Sequence, residues 1–311
     1  MLESLIHSNS QNILTSHSML ILQIQTEALK AIHDYLYEQN LIQLMPVMLS
    51  PITDPLSHET SDAKITYFGQ ELQLTKSMIF HKQLAIASSN TKGIYIMSPN
   101  IRLEKYDKRD SGRHLIEFSQ VDIELREVNS LKFMELIEGL IISVINRVKE
   151  KCKIGLENLG VSLRIPARPF KIYSSEELKK KLGENFEKES SLREIDPFWI
   201  TDYYREFYDK EDPKRPGHYL NYDLIYPEGF NEALSGGERD FEYKILLRKI
   251  KERHQNPEIF EFYLDEAKEG KLVASAGGGL GIERLVRFLT KIQHIRDVSP
   301  FSKVPGEHYQ I

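Results

Sequence analysis

The sequence predicts an α+β fold, a mostly antiparallel sheet flanked by helices, on three observations. Short alternating apolar runs recur through both halves of the chain, and the connections between them are short. Helical periodicities lie between and after these runs, at their flanks. The glycines Gly277, Gly278, Gly279 and Gly281 come near the end of the chain and are followed by no βαβ unit with an acidic ribose ligand, so a Rossmann sheet fits poorly.

Each element has its own signal. Residues 1–15 are polar and expected to be flexible. A helix is predicted over 19–40, with Ile21, Ile24, Leu29, Ile32 and Leu36 on one face, leading into a strand at 41–46 that ends on Pro46. Strands follow at 65–68, 93–97 and 114–125, with a helix at 77–88. Residues 130–189 carry helical, charge-rich patterns at 131–151 and 174–181 and read as an insertion or connecting section within one catalytic domain spanning 16–311. Strand signals return at 198–201, 218–225 and 230–234, and helices at 242–253, 257–267 and 281–291 close the chain.

Size and composition bound the function. At 311 residues and 41% hydrophobic the chain can bury a substantial core. No apolar run reaches membrane-spanning length and Met1-Leu2-Glu3-Ser4 lacks the basic start of a signal peptide, so a cytoplasmic protein without membrane contact is expected. With 41 basic and 46 acidic residues, a net charge of −5, a large nonspecific nucleic-acid surface is disfavoured. The Lys179-Lys180-Lys181 run has glutamates on both sides and reads as a solvated helix face. Cys152 is the only cysteine, which excludes a disulfide framework or a cysteine metal site within the chain.

Two segments carry the chemistry. Ile101-Arg102-Leu103-Glu104 and Arg113-His114-Leu115-Ile116-Glu117-Phe118 place arginines, acids and an aromatic on two pleated runs joined by a polar loop. Arginine forks phosphate oxygens, and an aromatic such as Phe118 stacks on a purine. Near the C-terminus the glycine run passes into Ile282-Glu283-Arg284-Leu285, where glycine permits close backbone approach and a helix start aims its amides at an anion.

In this order, these segments resemble motifs 2 and 3 of the class II aminoacyl-tRNA synthetases, in the aspartyl/asparaginyl branch. The helix, strand and Pro46 at 19–46 resemble motif 1. The resemblance runs from about residue 16 to the C-terminus. It implies that fold class, a homodimer through the motif 1 region, ATP as co-substrate and Mg²⁺ as cofactor. It further implies that Arg102 holds the α-phosphate, that Arg113, His114 and Arg284 face the distal phosphates with Gly281 beside them, that Phe118 stacks on adenine and that Glu104 fixes the base. Arg102 and Arg284 would act as the catalytic charges. Glu232 and Ser235 match the family's Mg²⁺ ligands, with Asp223 nearby; few protein oxygens plus phosphates suit that ion.

For the amino acid, Ser77, Lys82, Gln120, Asp122 and Arg239 form the expected pocket. Lys82 falls where aspartyl enzymes carry lysine and asparaginyl enzymes an acid, and Asp122 also matches the aspartyl form. Two cations facing the side chain, Lys82 and Arg239, would select a carboxylate over an amide. Ile79 departs from the family's glutamine, the usual contact of the α-amino group, and Ser302 and Lys303 depart from a proline and an arginine in the closing segment. Only about 15 residues precede the core, too few for an anticodon-binding OB-fold. The expectation is therefore a core similar to the synthetase-derived asparagine synthetases, including the archaeal form related to asparaginyl-tRNA synthetase. L-aspartate would be adenylated on its β-carboxylate and then amidated by ammonia to asparagine, with tRNA not expected. No cysteine follows Met1, so free or externally supplied ammonia would serve. The alternatives are a truncated aspartyl- or asparaginyl-tRNA synthetase, charging tRNA or another acceptor, and a catalytically silent paralogue acting as a binding module.

Overall fold

The computed structural model describes residues 14–88, 90–204 and 206–309. Most of the segment expected to be flexible, residues 1–13, lies outside the described residues. Thr15 already caps the first helix, α1 (Ser16–Glu38): its Oγ1 accepts from the Ser18 amide at 3.1 Å, while Ser18 Oγ accepts from the Thr15 amide at 2.7 Å. Helix α1 buries Ile21, Ile24, Ala28, Ala31, Ile32 and Leu36.

Among the described residues one eight-stranded sheet organises the chain. In spatial order its strands are β1 (Ile42–Leu44), β6 (Gly93–Ile101), β8 (Glu117–Arg126), β13 (Ser275–Gly281), β12 (Asn231–Glu238), β11 (Asn221–Tyr226), β10 (Phe198–Thr201) and β9 (Ile172–Ser174). The six central strands pair antiparallel, and only the edge strands β1 and β9 run parallel to their neighbours. Short strands β2 (Leu49–Ser50), β4 (Lys64–Tyr67) and β5 (Gln70–Leu74) form a separate small sheet, and β3 (Thr60–Ser61) pairs with β7 (Leu103–Glu104).

Helices cover the main sheet. Helix α3 (Ser130–Lys151) joins α1 in the principal core, burying Phe133, Ile137, Leu140, Ile141, Val144 and Val148. The section expected as an insertion thus begins with a helix that packs on α1. It continues through α4 (Lys153–Asn158), α5 (Ser175–Leu182) and α6 (Phe186–Arg193). A second core gathers Phe80, Phe207, Phe260 and Tyr263 where α2 (Ile79–Ala87) meets α7 (Tyr243–Glu252) and α8 (Glu261–Lys268). Helix α9 (Ile282–Thr290) leaves directly from the end of β13.

The section read as helical also supplies the edge strand β9, and two further differences from the pattern reading bear on the site. The glycine run, expected to lead directly into a helix, is itself central strand β13. Glycine has low strand propensity, so side-chain patterns do not reveal it. The structure supplies the reason: a Cβ on Gly278 would lie 2.9 Å from the Ser235 carbonyl oxygen, and one on Gly277 would overlap the Glu124 carboxylate. The second difference is at Leu103–Glu104, which leaves β8 and pairs with Thr60–Ser61.

Candidate active site

The central strands place polar side chains in rows. Across β8, β13, β12 and β11, Asp122 stands opposite Gly279, Gly279 opposite Ser235, and Ser235 opposite Asp223. One step along, Glu124 stands opposite Gly277 and Gly277 opposite Gly237. Side chains alternate faces along a strand, so Gln120, Asp122 and Glu124 share one face. The glycines opposite them leave a trough in the sheet.

Two adjoining cavities, about 380 and 280 Å³, occupy this region and share His58, Arg102, Arg113, Gln120, Glu232 and Gly279 in their walls. The larger collects Ser77, Lys82, Asp122, Asp223, Ser235 and Arg239 with the shared residues. The smaller collects Glu104, His114, Phe118, Gly281 and Arg284. The residues expected to bind nucleotide, metal and amino acid therefore line one divided cleft.

At the smaller end the charges are partly engaged. Arg102 donates through Nε to the Lys76 carbonyl at 3.0 Å, and its guanidinium carbon stands 5.1 Å from the Phe118 ring centre, so a face of the ring expected to take adenine carries this cation. Arg284 Nη1 lies 2.8 Å from Glu232 Oε1, pairing an expected phosphate ligand with an expected metal ligand. His114 differs from a simple phosphate cation. Burial, with the charges of Arg284 and Arg113, pushes its pKa down to about 4, so at neutral pH it is a neutral imidazole, with Nδ1 2.7 Å from Ser111 Oγ. Glu104 is the reverse case: burial raises its pKa, but the hydrogen bond and charge of His58, with His114 and Arg102, outweigh it and hold the carboxylate below its ordinary range. His58 Nε2 is 3.0 Å from Glu104 Oε1.

The larger end is a buried ionic network. Lys82 Nζ lies 3.2 Å from Asp122 Oδ1 and 3.4 Å from Glu124 Oε2. Arg239 donates through Nε to Glu124 at 3.2 Å and through Nη1 to Asp209 at 2.9 Å. Burial alone would lower the Arg239 pKa; Glu124 and Asp209 outweigh it and raise it, keeping the guanidinium charged. On the other wall Ser77 Oγ donates to Asp54 Oδ2 at 2.7 Å, and the Tyr208 hydroxyl reaches both Asp54 oxygens at 3.1 Å. Both cations expected to read a substrate carboxylate thus already hold protein carboxylates. That corrects the simple picture of two cations waiting for an anion.

Asp54, His58, Glu124, Tyr208 and Asp209 were not singled out in the sequence. Glu124 was within reach, since position i+2 from Asp122 on a strand shares its face. The other four come from loops and from the approach to β11, where no periodicity marks them.

A family model described as tRNA synthetases class II (D, K and N) matches residues 3–305. The chain belongs to this family. It is 30% identical over 312 residues to the asparagine–tRNA ligase of Desulforamulus reducens, covering 93% of this chain and 70% of that one. The asparagine–tRNA ligase of Thermoplasma acidophilum is 27% identical over 303 residues, 91% of this chain and 68% of the relative. Asparaginyl-tRNA synthetase from Pyrococcus horikoshii, solved with asparaginyl-adenylate, superposes with a TM-score of 0.84 at 27% identity over 95% of this chain and 70% of that one. The class II synthetase chain is thus an α+β protein with a large, mainly antiparallel sheet. No helix among the described residues is long and apolar enough to cross a membrane.

Proposed function

We propose that the chain activates L-aspartate with ATP, forming an aspartyl-adenylate and pyrophosphate. The observation that carries this reading is the divided cleft, with Arg102, Arg113 and Arg284 lining its nucleotide end and Lys82 and Arg239 set among carboxylates at the other. Negative charge spreads over the α-phosphoryl oxygens as pyrophosphate leaves, and fixed guanidinium groups stabilise it. Arg102, at the junction of the two cavities, faces the α-phosphate. Arg113 and Arg284 take the distal phosphates, while His114 contributes a neutral hydrogen bond. Phe118 and Glu104 bind the base, and Gly281, at the start of α9, keeps the backbone close to the nucleotide.

Hard oxygens from neighbouring strands suit Mg²⁺: Glu232 and Ser235 on β12 would hold it, with Asp223 across from Ser235 on β11. When bound, the ion neutralises charge on the triphosphate. Glu232 first has to exchange its Arg284 partner for the cation. Apolar Ile42, Met45 and Met48, exposed beyond α1, support pairing of two copies through this region.

For the acceptor, the relatives' names support the 3′ end of a tRNA, in an aspartyl/asparaginyl-type aminoacylation, over the ammonia expected from sequence. Ammonia, the acceptor expected from the sequence, is the second reading. Purified protein with ATP and Mg²⁺ is incubated with aspartate or asparagine, alone, with tRNA or with ammonium, and the products are identified by mass spectrometry. Pyrophosphate release driven by aspartate and charged tRNA are the expected results. Free asparagine without charged tRNA would establish the second reading, and release driven by neither amino acid would refute adenylation.

A further inference from the structure

We infer that Arg287, which stands behind the cleft rather than in its walls, serves the nucleotide end as a supporting cation: its charge strengthens the hold of Arg113 and Arg284 on the pyrophosphate part of ATP, so that this end favours a polyphosphate over a monophosphate. The inference deepens the aspartate-adenylating reading and rests on its placing of the nucleotide.

Helix α9 sets the position. Arg284 and Arg287, three residues apart, share a face of that helix. Both reach the entry to β12: Arg284 donates through Nη1 to the Glu232 carbonyl at 3.2 Å, and Arg287 through Nη1 to the Phe230 carbonyl at 3.4 Å. Arg287 also donates through Nε to the Gln293 carbonyl at 3.0 Å, and its guanidinium carbon lies 5.0 Å from the Phe230 ring centre. The residue is only 7% exposed, on a helix that otherwise buries Leu285, Val286, Phe288 and Leu289.

These partners satisfy donors and leave the charge unanswered. Two carbonyls and a ring call for N–H groups, not for an ion, and a buried ion without a counter-ion is costly. Neighbouring cations have their acids: Lys291, against the same Phe230 ring, pairs with Glu228 at 2.8 Å, and Arg284 pairs with Glu232 at 2.8 Å. No carboxylate among the described residues offsets Arg287. Burial, then the like charges of Arg284 and Arg113, push its pKa down to about 10, which still leaves it charged at neutral pH. The C-terminal end of α9 compensates a part of this, as a helix end does for any nearby cation.

The surroundings leave an excess of positive charge. In the walls of the smaller cavity Arg102, Lys108, Arg113 and Arg284 face the carboxyl groups of Glu104, Glu232 and Glu283. His114 is neutral there, and Glu283, with its pKa pushed up to about 7, is ionised in only a fraction of molecules at neutral pH. Arg287 adds a further cation behind Arg113 and Arg284. An anion beside those two relieves the repulsion among all three guanidinium groups, and the relief grows with the charge the anion carries. Pyrophosphate and the triphosphate of ATP gain more from it than the single phosphate of AMP.

Titration calorimetry of inorganic pyrophosphate, AMP and ATP without Mg²⁺ tests this on wild type, Arg287→Met and Arg287→Lys, with circular dichroism to verify folding. Arg287→Met keeps an unbranched side chain and removes the charge; it should weaken pyrophosphate about tenfold and AMP less than about threefold, the scale of one charge acting without contact at reduced dielectric. Arg287→Lys keeps the charge without the fork and should bind pyrophosphate within about threefold of wild type. Added KCl should weaken pyrophosphate more steeply in wild type than in Arg287→Met. A purely structural arginine would instead give equal losses for pyrophosphate and AMP. That result, an unchanged pyrophosphate affinity in folded Arg287→Met, or a lysine variant as weak as the methionine one overturns the inference. Wild type that binds ATP and pyrophosphate but releases no pyrophosphate with aspartate removes the adenylating reading and leaves the inference standing, whereas wild type that binds neither removes both. Should Arg287→Met fail to fold, Arg287→Lys decides: pyrophosphate affinity within about threefold of wild type upholds the role of charge, and a larger loss overturns it.

Discussion

Replacing Lys82 by methionine tests the buried network most directly. The substitution keeps an unbranched side chain of similar length and removes only the ammonium. Lys82 is 3% exposed, and it is the ionic partner of Asp122 among the described residues; Glu124 keeps Arg239 and the Ser275 hydroxyl at 2.8 Å. Removing one member of a buried pair leaves the other desolvated and uncompensated, a loss of about 3–5 kcal/mol. At about 2 °C per kcal/mol for a chain of this size, Tm should fall by roughly 6–10 °C. Urea unfolding followed by circular dichroism gives the free energy, and scanning calorimetry gives Tm. Adding Asp122→Asn to Lys82→Met removes the orphaned charge, and the double variant should recover at least half of the loss. A loss below about 1 kcal/mol in the single variant is what an exposed pair would give. That result, or a double variant no more stable than the single one, would refute the reasoning.

Other outcomes follow from the same geometry. Arg102→Ala should slow aspartate-dependent pyrophosphate release roughly a hundredfold, the scale of one transition-state charge contact, and unchanged release would remove Arg102 from the phosphate site. Glu232→Gln should raise the Mg²⁺ concentration needed for half-maximal activity while changing stability by less than about 1 kcal/mol, since its pair with Arg284 is partly exposed; unaltered Mg²⁺ dependence would reject it as a ligand. Glu283, whose carboxylate accepts from the Ser119 amide at 3.0 Å, has its pKa pushed up by burial to about 7. The folded state therefore holds a proton there that the unfolded chain releases near its ordinary pKa, and this contribution to stability is lost as pH rises from about 4.5 to about 7. Glu283→Gln should flatten that fall in a series of unfolding curves, and an unchanged pH profile would contradict the assignment. His114 acts with the opposite sign: its pKa lies near 4, so its contribution is lost as pH falls from about 6.5 to about 4, and His114→Gln should remove that acid-side loss from the same curves.

Much of the architecture was legible because side-chain periodicity reports burial. The apolar stripe of α1 and the alternation of β8 follow directly from it, and Phe198–Thr201 forms a strand with the predicted bounds. Strand β13 was not legible, because Gly277, Gly278 and Gly279 have no side chains to alternate; Gly277 and Gly279 leave the space that Glu124, Asp122 and Gln120 need on β8, and Gly278 the close approach of the Ser235 carbonyl on β12. The residues proposed to face the phosphates were legible for a similar reason: two local segments and one helix start carry most of them. The partners of Lys82 and Arg239 were not, since Asp209 lies 30 residues from Arg239 in sequence and meets it only through the fold.

The glycines and the charges belong to one design. A sheet normally fills both faces with side chains, so a row of carboxylates at Asp122 and Glu124 would meet bulky neighbours on the adjacent strand and lose either its packing or its hydration. Gly277 and Gly279 remove those neighbours, and Gly237 does the same one strand further on, leaving a channel deep enough for Lys82 and Arg239 to enter from outside the sheet. The cations then compensate the acids where water cannot, and the arrangement is fixed because every member is held by another. Such a trough differs from an apolar pocket in how it discriminates. Its size changes little between aspartate and asparagine, which have nearly the same shape, so selection rests on the charge balance of Lys82 and Arg239 with the carboxylates around them. A Gly279→Ala substitution separates the two contributions, because it crowds the approach to Gln120 and Asp122 without altering any charge. It should weaken aspartate and asparagine by similar factors, whereas Asp209→Asn should change their ratio. Titration calorimetry of both amino acids against both variants measures this, and a changed ratio in Gly279→Ala with none in Asp209→Asn would show that the pocket reads shape rather than charge.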